Sequence, residues 1–310
     1  MTGRLTVSSS PHIRNTENTS GIMLDVVISL LPATVFGIIL FGLRAALLIA
    51  VCIVSCLVFE LLSRKLFKNE GSLKDLSAVV TGLLIALNLP PRFPVWMAII
   101  GCFAAIVVVK QMFGGLGHNF VNPAIAARII LIISFPTYMT TYYAPFDYGV
   151  DAVTTATPLG TEENFLSIKE LLFGLHGGSI GETSVIMLII GGIYLIIRKV
   201  IKPTIPLAFI GSVGVLTFIL EHNVNDAVFA MLTGGVFLGA IFMATDYVTS
   251  PTTTLGQIIF GIGCGIITVI IRSGAAVEGV SFAIIFMNLL VPHIDRITVR
   301  KPFGWEAQKK

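Results

Sequence analysis

The run AALLIAVCIVSCLVFELL at residues 45–62 shows what decides the fold of this chain. Its only charged residue is Glu60, and as a helix it is long enough to cross the hydrocarbon core of a bilayer. Apolar runs of roughly 17 to 25 residues recur along nearly the whole sequence. A helix satisfies its own backbone hydrogen bonds, as lipid requires. We therefore predict an all-α integral membrane protein.

The composition supports the same class. Of the 310 residues, 55% are hydrophobic and 12% are charged, and the mean hydropathy is +0.92. Such a chain cannot cover a water-soluble domain with a normally charged surface. We interpret about ten apolar runs as membrane spans. Their centres lie near Pro32, Ile53, Leu84, Ile100, Ile129, Ile190, Ile210, Gly235, Gly263 and Ile285.

Two halves of five spans each, residues 21–137 and 183–296, faintly resemble each other. The run AVVTGLL at residues 78–84 is similar to AMLTGGV at residues 230–236, and a proline-containing segment follows each. An odd number of spans per half makes such repeats inverted, and their functional sites lie where broken helices meet. We predict two inverted five-helix repeats, with chance similarity between glycine-rich helices as the alternative.

Lysine and arginine cluster in segments that the positive-inside rule assigns to the cytoplasm, including residues 64–74 and 198–202. Residues 1–20 are polar and lack the apolar core of a cleavable leader, so we expect them to stay on the chain. These residues and the basic tail 297–310 are predicted to be cytoplasmic. The mostly acidic segment 138–182 is then predicted to be an extracytoplasmic loop.

The segment DAVTTATP at residues 151–158 is the part of this loop with the most unusual chemistry. Its threonines and Asp151 are typical of exposed turns, because short hydroxyl and carboxylate side chains compete for backbone groups. From composition alone, a plain loop or a helix cap is the simplest interpretation. The same polarity would also suit an attachment site facing the outer compartment.

Polar residues also enter where the fifth span begins, in GGLGHNFVNPA at residues 114–124. Pro123 suits the first turn of a helix, and Asn119 or Asn122 could cap it. The same helix start could instead receive an anion or a carbonyl-rich ring. Arg128 follows soon after, and a guanidinium so close to lipid needs a partner, a cavity or the headgroup region.

Three acidic residues in or beside the spans are candidates for a path of Na⁺ or H⁺. Asp25 and Asp246 border the predicted cytoplasmic side, where simple solvation is the alternative. Glu60 lies deeper, where it could admit the ion or pair with Arg64 one helical turn further on. The four cysteines resemble core residues, and neither they nor the histidines have the spacing of a metal site.

Several of these segments together resemble the D subunit family of Rnf complexes, which are ion-translocating ferredoxin:NAD oxidoreductases. The resemblance rests on residues 8–12, 114–127, 151–159, 178–184, 242–246 and 250–253. The B subunit of the sodium-pumping NADH:quinone oxidoreductase is a related alternative, but it normally has a longer N-terminal extension. The resemblance implies a multi-pass subunit of a prokaryotic plasma membrane whose partners are lipid and the other membrane and peripheral Rnf subunits.

The resemblance also implies FMN joined covalently to Thr157 by a phosphoester. Asp151, Thr154 and Ala156 match the remaining positions of the motif that an extracytoplasmic flavin transferase recognises. Thr155 stands where the family often has glycine, which bears on the efficiency of attachment but not on its position.

The related pump further holds a non-covalent riboflavin near an Asn-x-x-Asn-Pro stretch, which Asn119, Asn122 and Pro123 match here. No catalytic residue, metal site or nucleic-acid partner is expected in this chain. No GxGxxG motif follows a strand, so NAD is expected to bind another subunit.

Two other functions remain open on the sequence. A secondary transporter or channel would share the ten spans and the inverted halves but carry no flavin. A structural membrane scaffold would leave Thr157 unmodified. The loop distinguishes them, because only an electron-carrying subunit needs an external flavin-attachment motif.

Overall fold

The computed structural model describes residues 18–67, 75–146, 154–155, 167–275 and 279–299, and these residues are mostly helical. The helices are α1 (Thr19–Phe41), α2 (Leu43–Phe67), α3 (Ser77–Leu87), α4 (Val95–Phe103), α5 (Pro123–Ser134), α6 (Pro136–Met139), α7 (Ile168–Phe173), α8 (Val185–Ile197), α9 (Thr204–Glu221), α10 (Val224–Leu232), α11 (Val236–Leu238), α12 (Thr254–Ala275) and α13 (Val280–Thr298). A first π-helix, Ala104–Gln111, continues α4, and a second, Gly239–Met243, continues α11. Among the described residues, the strands are β1 (Tyr142–Tyr143) and β2 (Thr154–Thr155), paired antiparallel.

The helix lengths confirm an all-α membrane protein. Five described helices, α1, α2, α9, α12 and α13, are long and apolar enough to cross a membrane. Helix α10 and the α11 segment form a sixth candidate that is bent by 59°. The remaining apolar helices, α3, α4 with its π-helix, α5 and α8, have 10–17 residues. Because these four are shorter than a full span, the count of ten spans stays a prediction.

Each predicted span centre except Gly235 lies inside one of these apolar helices. Gly235 lies in the break between α10 and α11, where both Gly234 and Gly235 have positive φ. The eighth apolar run is therefore a broken helix. A left-handed backbone is favourable for glycine because it has no Cβ, and two successive glycines end α10 before α11 begins.

In the core, helices at equivalent positions of the two predicted halves pack against each other. Helix α1 packs on α8, and α5 packs on α13. A pseudo-two-fold axis would produce these contacts, but the helix break at Gly235 has no counterpart at Leu83 in α3. The inverted repeat stays a prediction.

Close helix contacts depend on small residues, as is usual in membranes. A Cβ added to Gly191 on α8 would collide with the carbonyl oxygen of Ser29 on α1. At Gly82 on α3, an added Cβ would approach the Cys52 carbonyl oxygen of α2 to 2.9 Å. These glycines set the distances between helices that carry the buried polar groups.

Candidate functional site

A network of buried polar side chains surrounds Glu60 and lies beside Ser77, the first residue of α3. Glu60 on α2 has 0% exposure. Arg64 Nη2 donates to Glu60 Oε1 at 2.6 Å, which confirms the predicted pair. Lys110 Nζ donates to both carboxylate oxygens at 3.1 and 3.2 Å, and Gln111 Nε2 donates to Oε1 at 3.2 Å. Burial of this carboxylate is thus compensated by two cations and an amide.

A second carboxylate, that of Asp75, belongs to the Glu60 network, so that its two acidic and two basic side chains are equal in number. Arg64 Nη2 also donates to Asp75 Oδ2 at 3.2 Å. Lys110 Nζ donates to Ser77 Oγ at 2.6 Å, and Ser77 Oγ donates to Asp75 Oδ1 at 2.8 Å. Arg64 therefore bridges the two acids directly, and the Ser77 hydroxyl connects Lys110 to Asp75.

The first π-helix explains how Lys110 and Gln111 reach the same carboxylate. Neighbouring side chains diverge by about 100° around an α-helix, so successive residues rarely share one partner. The wider π turn relaxes this spacing, and π segments are frequent at functional sites. Sequence reasoning missed Lys110. A lone lysine inside an apolar run was the signal that could have found it.

A second buried network, around Arg128, lies at the opposite end of α3. Arg128 Nη1 on α5 donates to Asn88 Oδ1 at 2.5 Å, and Arg128 Nη2 lies 3.7 Å from Glu182 Oε2. Ser179 Oγ donates to the same Glu182 oxygen at 2.5 Å. The partner that the sequence required for Arg128 is therefore a distant carboxylate, Glu182, in the segment that leads into α8.

Arg272 on α12 holds the broken helix next to this network. Its guanidinium donates to the carbonyl oxygens of Ala230, Thr233 and Gly234 at 2.7, 2.9 and 3.2 Å. These carbonyls are left without helical partners where α10 ends. A Cβ added at Gly235 would lie 3.1 Å from Glu182 Oε1, so the break packs directly against the Arg128 network.

A cavity of about 120 Å³ connects three of the residues singled out in the sequence. Asn119, Asn122 and Asp246 line it together with Lys110 of the Glu60 network. Burial raises the pKa of Asp246, while hydrogen bonds from Thr249 and Asn119 and the Lys110 charge lower it. The structure thus brings one predicted acid and the two predicted asparagines to one pocket, whose lining is otherwise largely apolar.

The two asparagines are largely committed to the backbone. Asn122 caps α5, because its Oδ1 accepts from the N–H groups of Ala124 and Ile125 at 3.0 and 3.4 Å. Asn122 Nδ2 donates to the Met243 carbonyl of the second π-helix at 3.2 Å. Asn119 Nδ2 donates to the Val121 carbonyl at 3.1 Å.

This arrangement does not fit a whole flavin. The cavity is smaller than the roughly 300 to 1,000 Å³ of ordinary small-molecule sites. It is ample for several waters, since one needs about 10 to 15 Å³. In this conformation Asn122 therefore caps α5, and Asn119 holds the preceding loop through the Val121 carbonyl.

Asp25 lies apart from the Glu60 network, at the border of a neighbouring cavity of about 490 Å³. Its carboxylate accepts from Tyr194 Oη at 2.8 Å and from Arg198 Nη2 at 3.2 Å. Asp25 is thus held by α8 and is not simply solvated. The two cavities share the lining residues Ile22, Val200 and Tyr247.

The attachment motif is described only in part. Asp151, Ala156 and Thr157 lie outside the described residues, whereas the backbone of Thr154 and Thr155 forms β2. Strand β2 pairs with β1, with Thr155 opposite Tyr142 and Thr154 opposite Tyr143.

Strand β1 connects this strand pair to the buried charges. Tyr142 is buried, and burial together with the Glu182 carboxylate raises its pKa to about 12, against an opposing effect of Arg128. The Arg92 guanidinium lies 4.8 Å from the centre of the Tyr143 ring. The strand that pairs with Thr154 and Thr155 therefore lies close enough to Glu182 and Arg128 for their charges to act on the Tyr142 hydroxyl.

The four cysteines are reduced and buried, as expected for core residues. Cys52, Cys56 and Cys102 lie near one another where α2 meets α4, and Cys102 Sγ lies 3.6 Å from the Cys52 carbonyl oxygen. In the described ranges, no group of three or more His, Cys, Asp or Glu side chains is arranged to hold a metal ion.

The helices and the buried charge networks together define a polytopic membrane protein with polar groups inside its core. Residues 6–304 match the family model described as the NQR2, RnfD, RnfE family, and the chain belongs to that family.

Individual relatives are similar over nearly their whole length. The chain is 46% identical over 315 residues to the D subunit of the Na⁺-translocating ferredoxin:NAD⁺ oxidoreductase complex of Acetobacterium woodii, covering 99% of this chain and 97% of the relative. It is 44% identical to the D subunit of the proton-translocating complex of Clostridium ljungdahlii, covering 96% of each. It is 37% identical to the D subunit of the ion-translocating oxidoreductase complex of Stutzerimonas stutzeri, covering 93% of each.

Proposed function

We propose that this chain is the D subunit of an ion-translocating ferredoxin:NAD oxidoreductase complex in a prokaryotic plasma membrane. The observation that carries the proposal is 46% identity to a subunit of that name over nearly both whole chains. The membrane helices and the buried charges fit this role. The subunit acts with the other Rnf membrane and peripheral subunits and is not a complete enzyme alone.

The flavin of this subunit is FMN on Thr157, in the motif with Asp151, Thr154 and Ala156. A flavin transferase would join the FMN phosphate of FAD to the Thr157 hydroxyl oxygen, with release of AMP and the hydroxyl proton. The bound FMN supplies the electron-transfer chemistry. The chain supplies position, since Thr157 follows the β2 residue Thr155 by two positions and extended chain spans at most about 3.6 Å per residue.

The ion path includes Glu60, Asp246 and Asp25, with Lys110 added by the structure. Lys110 contacts the Glu60 carboxylate and also lines the cavity that Asp246 lines. It can therefore couple the charge of one acid to that of the other. Related complexes are named for Na⁺ and for protons at nearly the same identity, so overall similarity does not select the coupling ion.

Mass analysis of the full chain, co-expressed with an active flavin transferase, tests the proposal. The peptide that contains Thr157 should gain the mass of FMN and lose it in Thr157→Ala. Thr155→Gly is the matched control, because it restores the residue that the family often has and should remain modified. If the Thr157 peptide does not gain this mass although the transferase is active, the flavin assignment is wrong. A secondary transporter is then the better interpretation.

Riboflavin at Asn119 and Asn122 stays a prediction from the resemblance. Thr157→Ala protein can be denatured and its extract examined for riboflavin by chromatography. Riboflavin that is retained by Thr157→Ala but lost when Asn119→Ala is added would support that site. The contacts of Asn122 instead support helix capping, and the Asn119 amide donates to the Val121 carbonyl.

A further inference from the structure

A third pocket, of about 340 Å³, lies between the turn that joins α8 to α9 and the beginning of α12, and it shares Val200 and Tyr247 with both cavities described above. We call it the Lys199 pocket. Its polar lining comprises Lys199, Lys202, Thr245, Ser250, Thr252 and Gln257. None of these side chains is acidic, and the pocket offers a ligand the two lysine ammonium groups and the Ser250 hydroxyl. Thr245, Thr252 and Gln257 already donate to oxygens of the protein.

Among the described residues, neither lysine of the Lys199 pocket forms an ion pair, and Lys199 also lines the neighbouring cavity that contains Asp25 and Arg198. Both lysines are exposed. The neighbouring Arg198 differs, because it binds Asp25. Asp295 on α13 accepts from the N–H and hydroxyl of Thr252, which leaves the lysine side of the pocket positive.

The backbone at Lys199 also marks this position. Lys199 has φ +58° just after the end of α8, and its N–H donates to the Ile196 carbonyl at 3.0 Å. Glycine is the usual residue after a helix in this left-handed conformation. At position 199 a lysine adopts this conformation, although a residue with a Cβ is less stable in it than glycine is. The lysine places an ammonium group at the pocket.

Apolar surface begins beside the charged groups. Leu207, near the start of α9, is 70% exposed, and Leu255, near the start of α12, is 59% exposed. Helices α9 and α12 pack closely together and are both long enough to span a membrane. A ligand with a charged head and long apolar chains matches this juxtaposition, whereas a soluble phosphate would use only the charged part.

We propose that the Lys199 pocket binds the phosphate headgroup of an anionic phospholipid, with its acyl chains along α9 and α12. Lys199 and Lys202 contact the phosphate oxygens, and the Ser250 hydroxyl donates a further hydrogen bond, whereas the Thr245 and Thr252 hydroxyls donate within the protein. Basic pockets between helices at the cytoplasmic side are typical sites for such headgroups. The inference does not depend on the flavin at Thr157.

Native mass spectrometry of the full-length chain tests the proposal. The protein is released from nanodiscs of phosphatidylcholine doped with phosphatidylglycerol, and retained lipids are counted during a titration of the anionic lipid. Wild type should keep one phosphatidylglycerol that Lys199→Gly/Lys202→Gln loses, with about 30-fold weaker binding for two missing charges. Glycine suits the backbone at position 199, so this variant should remain folded.

Lys65→Gln/Lys169→Gln is the matched control, because it removes two exposed lysines elsewhere and gives the same net charge. It should retain the lipid as wild type does. Equal retention by all three proteins, or equal loss in the control, would overturn the proposal. Displacement of the lipid by inorganic phosphate would also overturn it, since the site would then recognise phosphate from solution.

Discussion

Glu60 shows at the level of one residue how a charge is tolerated inside this protein. Its carboxylate is fully buried but receives donors from Arg64, Lys110 and Gln111. Removing one member of a buried ion pair leaves the other charge without compensation, which costs more than replacing the whole pair. Substitutions in this network are therefore expected to have non-additive effects on the free energy of unfolding, and the same contacts would couple the residues during ion transfer.

Glu60→Gln is expected to lower the free energy of unfolding by about 3 to 5 kcal/mol, because two buried cations lose their shared carboxylate. Adding Lys110→Met should recover part of that loss. Thermal or denaturant unfolding of the four proteins of this double-mutant cycle measures the coupling. Strictly additive effects would show that Glu60 and Lys110 do not interact.

Asp246 predicts a pH dependence of stability. Its pKa is raised in the fold, mainly by burial, so the folded protein holds this proton more tightly than the unfolded chain does. The contribution of Asp246 to stability is therefore most favourable at low pH and declines as pH rises through the folded pKa. Asp246→Asn should raise the unfolding temperature at pH above that pKa and have little effect well below it. A stabilisation equal at all pH values would contradict this account.

At the level of elements, the broken helix α10–α11 depends on a side chain from another helix. Arg272 binds three carbonyl oxygens at the break, which would otherwise be buried without donors. The break therefore has a fixed shape only while α12 is packed beside it.

Arg272→Gln is expected to destabilise the protein by about 2 kcal/mol or more, because each unpaired buried polar group costs about 1 to 3 kcal/mol. Hydrogen exchange should increase first in residues 230–236. Arg272→Lys should be intermediate, since an ammonium keeps the charge but not the planar arrangement of donors. Unchanged exchange in this segment would show that the break is stable without Arg272.

The packing of α1 on α8 gives a second prediction at this level. Gly191→Ala should cost about 1 to 3 kcal/mol, since its Cβ would meet the Ser29 backbone. Gly211→Ala on α9 is the control, because no atom lies within 4 Å of its added Cβ. The control should be neutral or stabilising by up to about 1 kcal/mol. Comparable losses in both variants would argue against the close contact.

For the whole molecule, the orientation in the membrane is predicted from the distribution of lysine and arginine, and cysteine labels can measure it. All four native cysteines are buried, so background labelling should be low. Lys169→Cys should react with a membrane-impermeant maleimide in intact cells, whereas Lys65→Cys should react only after the membrane is opened. The reverse pattern would place the loop 138–182 in the cytoplasm and exclude the proposed external attachment of FMN.

Local features of this site were predictable from the sequence. The cap at Asn122 and the pair of Glu60 with Arg64 involve residues within one helical turn, so their spacing is sufficient. Lys110 was not predicted as part of the site, because its partners Glu60 and Ser77 belong to other helices.

The sequence by itself determined the membrane class and the positions of most of the apolar helices, because apolar run length is sufficient for these. Only the tertiary structure decided that Lys110 meets Glu60, that Glu182 meets Arg128 and that Arg272 caps a broken helix. The physical reason is that lipid is as apolar as the helices themselves. Hydrophobicity places each helix in the membrane, while close packing and polar contacts between helices decide which of them meet.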